Sequence, residues 1–383
     1  MVVHLCCSVD AGYFLERLKR DFPEERLIGY FFDPNIHPYS EFKLRSLDTE
    51  RICRKLGVEF REGPYLIEEW FKRTAGLEEE PEKGSRCSIC FDFSLEETAR
   101  LAVELGESKI TTSLLMSPMK SRSQIEETGR RIKERFGVEF IIPDYRKRGG
   151  TQAQQSFSKR AQLYRQNYCG CLYGLVKQRG EEGRIKEFAS PINRAVLPSS
   201  VEERLQLYRR RIELEEEGRG YRILSHSFLN YRLLRGGLKR DGKPVPSHPL
   251  FYSHLPRPVR GYVEKVVDGV YYLNRGEVIL LPLSRFNREL EGLGEKGITS
   301  VWELYRTPFS IDLEIEVRER ITGLSYSLSP VLVVPDEVVE GCGREGEIID
   351  HYREGMVRFE VELESLIFPD KKSVLREVEG GLE

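Results

Sequence analysis

The sequence predicts an α/β protein: a Rossmann-like, HUP-type parallel sheet flanked by helices, followed by a second, C-terminal α+β domain. Three observations lead to this prediction. Strand-like apolar runs alternate with amphipathic helical runs over the first 145 residues, which is typical of βαβ units. The alternation stops after the run YCGCLYGL at residues 168–175. A chain of 383 residues also exceeds the usual size of a single core. We therefore expect two domains, residues 1–180 and 181–383.

The elements of the first domain follow one another with clear boundaries. The predicted strands are VVHL, LIGYFF, VEFREG, KITTSLL and VEFIIPDY. The helices between them include YFLERLKRDF, SEFKLRSLDTERICRKLG, SLEETARLAVELG and SQIEETGRRIKERFG. Gly57 and Gly106 are typical helix ends, and Ser94 with Glu97 predicts a capping box that begins the third helix. Such strands form a parallel sheet with right-handed crossovers.

In a sheet of this kind, ligands bind beyond the carboxyl ends of the strands. The residues that follow the predicted strands are therefore expected at the ligand-binding edge. They are Cys6 and Cys7, Asp33 and Asn35, Tyr65, Ser113 and Met116, and Asp144 and Tyr145. The edge thus carries a vicinal thiol pair where many such folds have phosphate-binding glycines.

Cysteine use is uneven along the chain. Seven of the eight cysteines lie in the first 171 residues, and only Cys342 follows them. No signal-peptide pattern and no transmembrane stretch is found, so a cytoplasmic location is expected, where structural disulfides are rare. Cys53 lies inside a helix next to Ile52 and is expected in the core. Six thiols remain as close pairs: Cys6 with Cys7, Cys87 with Cys90, and Cys169 with Cys171.

Three close thiol pairs in one domain predict a metal site, and the residues leave its type open. Structural zinc takes four ligands in a closed tetrahedron. A [4Fe–4S] cluster also takes four thiolates, which leaves two thiols and Asp10 for a second metal. A redox dithiol is the third possibility, because C-x-x-C motifs serve all three purposes.

Charge is distributed unevenly as well. Residues 1–100 contain 15 Lys and Arg against 20 Asp and Glu, whereas residues 101–180 contain 15 against 7, a net of +8. A basic segment beside a reactive site favours an anionic partner, nucleic acid above all, although a solvated helix face has the same composition. The cations predicted to contact phosphates are Arg146, Lys147, Arg148, Lys159, Arg160 and Arg165.

Six motifs resemble the QueH family of epoxyqueuosine reductases. They are HLCC, FFDPNIHPYSEF, GSRCSICFDF, TTSLLMSP, YRKRGG and SKRAQLYRQNYCGCLYGL, in that order over residues 2 to about 175. The resemblance implies a relative of the PP-loop ATPases with a [4Fe–4S] cluster and an adjacent mononuclear iron. It implies reduction of the epoxide of epoxyqueuosine to an alkene. That base occupies the wobble position of the anticodon in the tRNAs for Tyr, His, Asn and Asp.

Within this reaction, single residues are given roles as hypotheses. Cys87 and Cys90 are expected to bind the cluster with two of Cys6, Cys7, Cys169 and Cys171, while Asp10 and the remaining two thiols hold the extra iron. Many members have a third thiol where this chain has Asp10. Asp33 and Asp144 are expected to transfer protons, although Asp33 before Pro34 is also typical of an Asx-turn. The tyrosines expected to stack on bases are Tyr39, Tyr145 and Tyr168.

Two other functions compete with reduction. A PP-loop-like enzyme of tRNA thiolation needs a glycine-rich loop after the first strand, which CCSVDAG does not provide. A zinc-stabilised RNA-binding module would contain zinc in place of iron. The electron donor of a reductase is not identified by the residues, and the second domain is expected to bind tRNA or to form a homo-oligomer.

Overall fold

The computed structural model describes residues 1–118, 120–179, 195–347 and 356–378. The described residues form two compact units. Of these residues, the first unit contains 1–118 and 120–179, together with residues 204–224 and 374–378. The second unit contains residues 195–203 and most of the chain from Ser225 onward.

The first unit is built on a five-stranded parallel sheet, as the sequence predicts. Its strands are β1 (Val2–Leu5), β2 (Ile28–Phe31), β3 (Glu59–Glu62), β4 (Lys109–Thr112) and β5 (Glu139–Phe140). Their order is β3-β2-β1-β4-β5, and every adjacent pair is parallel. The order reverses at β1, so the crevice at the carboxyl ends of β1 and β4 is the topological switch point at which such folds bind ligands.

Helices cover the sheet. They are α1 (Ser8–Asp21), α2 (Tyr39–Leu56), α3 (Ile67–Thr74), α4 (Ser85–Glu104), α5 (Arg122–Phe136), α6 (Gly150–Arg160) and α7 (Leu172–Arg179). Val3, Leu5 and Phe14 belong to one apolar cluster, whereas Val2 and Trp70 belong to another. Alternate β1 residues thus enter different clusters, as expected for a central strand that is buried on both faces.

The third predicted helix begins earlier than expected. Helix α4 begins at Ser85, so Ser94 lies in its interior and the predicted capping box is wrong. The carbonyl oxygen of Ser94 accepts a hydrogen bond from the hydroxyl of Thr98, which is the back-bonding of a residue within a helix. The correction matters for the site, because it places Cys87 and Cys90 on the first turns of α4.

The buried His4 holds the central strand to both of its neighbours. Its Nδ1 lies 2.8 Å from Oγ1 of Thr112, at the end of β4, and its Nε2 lies 2.9 Å from the carbonyl oxygen of Phe32. Burial lowers the pKa of His4 to about 4. The ring is therefore neutral at pH 7, and it fixes the carboxyl end of β1 immediately before Cys6.

The second unit contains two sheets. Helix α8 (Val201–Glu216) leads into strands β6 (Gly220–Arg240), β7 (Lys243–Val245), β8 (His248–Pro249), β9 (Val259–Gly261), β10 (Val263–Val267), β11 (Val270–Leu273) and β12 (Val278–Pro282). Helices α9 (Leu283–Gly292), α10 (Glu303–Arg306) and α11 (Ile311–Thr322) follow, and then strands β13 (Val331–Val334) and β14 (Phe359–Val378). The sheet orders are β10-β11-β12-β13-β8 and β7-β6-β14-β9. The predicted α+β architecture is confirmed, although most of α8 belongs to the first unit.

None of the helices in the described ranges has the length and apolar character that crossing a bilayer requires.

The two glycines of the motif YRKRGG shape the turn before α6. Gly149 has a φ of 82°, in the left-handed region that favours glycine. A Cβ on Gly150 would lie 1.7 Å from the backbone oxygen of Tyr145. The turn therefore has no space for a side chain at the first residue of α6.

We expect Gly150→Ala to lower the free energy of unfolding by about 1–3 kcal/mol, because the added methyl forces the backbone of the turn apart. Urea denaturation followed by circular dichroism measures this change. Gly237→Ala is the control, because its added Cβ meets no atom within 4 Å. Equal stability of the two variants would contradict the proposed steric limit.

Candidate metal centre

The vicinal thiols lie at the junction of β1 and α1. Sγ of Cys6 is 3.9 Å from Sγ of Cys7 and 3.6 Å from Oδ2 of Asp10. One potential ligand atom from each of these three residues lies within 4.8 Å of the others. Two sulfurs and a carboxylate oxygen at this separation are donors that a single transition-metal ion can share.

The groups around this cluster hold its side chains in place. Oδ1 of Asp10 accepts a hydrogen bond of 2.7 Å from Nε2 of Gln154 on α6. The backbone amide of Cys6 donates to Oγ of Ser113, which follows β4, at 3.2 Å. Burial raises the pKa of Asp10, and the contact with the Cys7 thiol together with burial raises the pKa of Cys6. The metal-free cluster therefore favours its protonated form, whereas a bound cation would favour the charged ligands.

A cavity of about 290 Å³ opens at the switch point and joins the three cysteine motifs. Its lining includes Cys6, Asp10, Asp33, Cys90, Tyr168 and Cys169, each of them a residue singled out by sequence. Polar side chains of Asn35, Gln166, Asn167 and Gln178 complete much of the wall. One thiol from each close pair therefore faces the same space.

Backbone contacts hold the thiols of the C-x-x-C and C-x-C motifs in place. Sγ of Cys87 accepts a hydrogen bond of 3.3 Å from the backbone amide of Lys83. Sγ of Cys169 accepts one of 3.4 Å from the amide of Cys171. Cys171 is buried and bridges to Ile36, in the loop after β2. That bridge connects the C-x-C motif to the end of a second strand of the sheet.

Lys120 places a positive charge among these thiols. Burial alone would lower the pKa of Lys120, but its electrostatic interactions with Cys169, Cys87 and Cys90 raise that pKa above its ordinary value. The hydrogen bond from Cys171 and the charge of Lys120 lower the pKa of Cys169 to about 5. Burial raises the pKa of Cys90, and the contact with Cys169 raises that of Cys171.

The two remaining predicted carboxylates differ in position. Asp33 lines the cavity, and its Oδ2 is buried with no hydrogen-bond partner among the described residues. Burial raises the pKa of Asp33 to about 8. Asp144 is not part of the cavity wall; it pairs with Lys147 at 2.9 Å and with Arg122 at 3.4 Å. These two cations lower the pKa of Asp144, which keeps it ionised.

The three predicted tyrosines are not equivalent. Tyr168 is one of the residues that line the cavity, and the guanidinium of Arg45 lies over its ring at 5.3 Å from the centroid. Tyr39 is 55% exposed and packs against Tyr65. Tyr145 is buried against Phe14, with ring centroids 5.5 Å apart, so its ring does not offer a face to a base.

The predicted basic residues also fall into two groups. Arg146 donates a hydrogen bond of 2.9 Å to the carbonyl oxygen of Ser117, and Lys147 pairs with Asp144. The other four are exposed and form no ion pair within the described ranges: Arg148, Lys159, Arg160 and Arg165. Of these four, Arg165 also donates a hydrogen bond of 3.4 Å from Nε to Oγ of Ser158.

Sequence reasoning missed Lys120, Arg45 and Gln154. Gln154 reaches Asp10 across 144 residues of sequence, so no local pattern indicates the contact. Lys120 follows the motif TTSLLMSP, and its position directly after a strand-end motif is the signal that would have found it. Arg45 lies four residues after Glu41 on α2, which is the spacing of an ion pair on one helix face.

We expect iodoacetamide to alkylate Cys169 of the metal-free protein at pH 6, while Cys90 and Cys171 stay unmodified. A thiol with a pKa of about 5 is mostly thiolate at pH 6, and the thiolate is the reactive form. Peptide mass spectrometry over a pH series measures the effect, and Lys120→Met should move the onset to higher pH. Cys53 is the internal control, since burial raises its pKa to about 12. Equal labelling of Cys90 and Cys169 at pH 6 would contradict this expectation.

Comparison with known proteins gives the same family that the motifs indicate. The family model described as "Epoxyqueuosine reductase QueH" matches residues 1–177. The chain is also similar to the solved U34-tRNA thiolase NcsA from Methanococcus maripaludis with its [4Fe–4S] cluster. That match has a TM-score of 0.32 and 14% identity, covering 56% of this chain and 72% of the other.

Several relatives carry the name epoxyqueuosine reductase QueH, among them the following three. The Helicobacter pylori protein is 35% identical over 350 residues, which cover 88% of this chain and 94% of that protein. The Haemophilus influenzae protein is 38% identical over 49% of this chain and 77% of its own length. The Thermotoga maritima protein is 33% identical over 188 residues, 48% of this chain and 95% of its own length. The extent and identity of the first match show that this chain belongs to the QueH family of epoxyqueuosine reductases.

Proposed function

We propose that this chain reduces the epoxide of epoxyqueuosine in tRNA to the alkene of queuosine, with a [4Fe–4S] cluster and an adjacent iron in the first unit. The observation that carries the proposal is the cavity at the switch point. Thiols from all three cysteine pairs and the Asp10 carboxylate meet there. Membership of the family supports the reaction, and the cavity is the proposed location of that reaction.

The donor set fits two metal sites. Cys6, Cys7 and Asp10 form the one group of three such donors found together in the described ranges, and they are the ligands proposed for the single iron. Cys87, Cys90, Cys169 and Cys171 are the four thiols proposed for the cluster. Three of these four thiols raise the pKa of Lys120, so they lie close to one side chain. This supports their grouping around one space. All eight cysteines are free thiols, in keeping with a reducing cytoplasm.

Reduction of an epoxide to an alkene consumes two electrons and two protons and releases water. When bound, the iron centres supply the electrons, drawn from a cellular donor, and a Lewis-acidic position for the epoxide oxygen. The protein has to supply a proton and a dry, shaped site. The protonated Asp33 carboxyl lies in the cavity wall and holds a proton below its pKa of about 8. Asp33 is therefore the proposed general acid, and Asp144 lies elsewhere.

The size of the cavity favours a single base over an intact loop. A volume of about 290 Å³ is near the lower end of ligand pockets. A wobble base therefore has to leave the anticodon stack to enter, as in other enzymes that act on a base. The amides of Asn35, Gln166 and Asn167 offer hydrogen bonds to its polar edge. Tyr168 provides an aromatic surface in the same wall.

The exposed cations near the end of α6 are the proposed contacts to the tRNA backbone. Lys159 and Arg160 end that helix, and Arg165 follows in the segment that leads to Tyr168 and Cys169. Phosphate contacts position an RNA, whereas the choice among the tRNAs for Tyr, His, Asn and Asp depends on the bases. The thiolation enzyme and the zinc module remain the alternatives, and the family match does not favour them.

We expect the anaerobically purified protein to contain about five irons and about four sulfides per chain, the content of one [4Fe–4S] cluster and one further iron. Asp10→Ala should lower the iron to about four and leave the sulfide unchanged, since it removes a ligand of the single iron alone. Metal analysis and the optical spectrum before and after dithionite measure both. Asp21→Ala, at the other end of α1, is the control. Stoichiometric zinc without iron would contradict the reductase mechanism.

We expect Asp33→Asn to lower kcat for epoxyqueuosine tRNA by about 10²- to 10⁴-fold, the usual contribution of a general acid. The iron content should not change, because Asp33 is not a proposed ligand. Nucleoside analysis of the product tRNA with dithionite as reductant measures the rate. Asp144→Asn is the matched control and should retain wild-type kcat. Equal rates for the two variants would exclude Asp33 as the acid.

A further inference from the structure

One face of α2 carries four buried charged residues: Glu41, Arg45, Asp48 and Arg51. Their spacing of three or four residues places them in one row along the helix. This row faces the segment that leads into the C-x-C motif. Arg51 donates to the carbonyl oxygen of Ala161 at 3.0 Å, and Arg45 donates to those of Tyr168 and Cys169 at 3.0 and 3.1 Å.

Asp48 connects this segment to the vicinal thiols. Its Oδ2 accepts a hydrogen bond of 2.5 Å from Oγ of Ser8, the residue after Cys7 and the first of α1. The same oxygen accepts one of 2.6 Å from the backbone amide of Tyr164. A single carboxylate therefore ties the turn that carries Cys6 and Cys7 to the segment that ends at Cys169.

A fully buried carboxylate requires a buried positive partner, because an uncompensated charge in the interior is strongly unfavourable. Arg51 on the same helix lies 3.6 Å from Oδ1 of Asp48, and the closer partner is Arg211 of α8. Its side chain and that of Asp48 are both 0% exposed, and its guanidinium donates to Oδ1 of Asp48. It also donates to the carbonyl oxygen of Gln162 at 2.7 Å and lies 4.2 Å from the ring centroid of Tyr208.

Arg211 lies outside the residues that the family model matches, which end at 177. The Thermotoga maritima relative is covered over 95% of its length by 188 residues, so it is too short to contain counterparts of both halves of this chain. The arginine is therefore an addition that the C-terminal half of this chain makes to the first unit. No motif of the resemblance includes it.

We propose that Arg211 is a positioning residue for the metal centre. Its guanidinium pairs with Asp48 and holds that carboxylate in hydrogen-bond contact with Ser8 and Tyr164, and thereby fixes the Cys6–Cys7 turn relative to Cys169. The proposal rests on the proposed function for the statement that these thiols bind metal. The arrangement of the thiols themselves is independent of it.

Alkylation of the metal-free, full-length protein tests the proposal. Cys7 is buried, so iodoacetamide reaches it through local opening of the turn. Arg211→Met should raise the alkylation rate of Cys7 and Cys169 about tenfold, as expected when a charged hydrogen bond that opposes opening is lost. Arg211→Lys should recover part of the protection. Arg210→Met is the matched control, because Arg210 is exposed and pairs with the exposed Glu213, Glu217 and Glu377, so this variant should leave both rates unchanged.

A second variant keeps the test decisive if Arg211→Met does not fold. Ser8→Ala removes only the link between Asp48 and the turn, and it should raise the rate for Cys7 and leave that for Cys169 unchanged. After reconstitution with iron and sulfide, Arg211→Met should also alter the electron paramagnetic resonance spectrum of the reduced centre. A folded Arg211→Met with the rates of Arg210→Met, or a Ser8→Ala with the wild-type rate at Cys7, would overturn the proposal. A wild-type protein without iron would instead contradict the proposed function, and the alkylation result would still decide this one.

Discussion

The carboxyl end of β1 is the point on which the site depends. As the central strand of a parallel sheet, β1 is buried on both faces, and the order of the strands reverses at this position. The chain therefore leaves β1 into a crevice that neither neighbouring crossover fills. His4 fixes the end of the strand to Thr112 and to the backbone after β2. Cys6 and Cys7 follow directly, so their position is determined by the most constrained strand of the fold.

Helix α2, beside this crevice, carries a row of buried charged side chains. Each buried cation on α2 donates to backbone carbonyl oxygens of residues 161–169, which belong to no regular element after α6 ends. Backbone oxygens that are buried outside helices and sheets need partners of this kind. Tyr164 adds a hydrogen bond of 2.8 Å to Glu41, so the acids of the row are occupied as well. Arginine is suited to this task because its five donors are rigidly placed.

The sequence predicts the sheet well, because the period-2 and period-3.6 patterns report burial directly. It predicts that the three close cysteine pairs lie together, and one thiol of each pair lines the same cavity: Cys6, Cys90 and Cys169. It fails where the decisive contact is distant in sequence, as for Gln154 with Asp10. It also fails at the start of α4. Ser94 and Glu97 match a capping box, yet the helix begins at Ser85 and continues through them. Tyr145 shows the same limit, because a tyrosine after a strand has the same sequence signature whether its ring faces a ligand or the core.

The relatives differ in how much of this chain they match. The family model matches residues 1–177, and a relative that aligns with only 48% of this chain carries the same name, so the part of the sequence that defines the family lies in the first unit. The Helicobacter pylori relative matches most of both halves. In this chain the later half is not a separate appendage, since α8 places Arg211 and Glu215 against Asp48 and Arg51 in the interior of the first unit. A buried charge that loses its partner is strongly unfavourable, so each of these pairs has to be complete. The folding of α8 is therefore coupled to the folding of α2. We therefore propose that α8, which comes from the later half of the chain, helps to position the segments that carry the thiols.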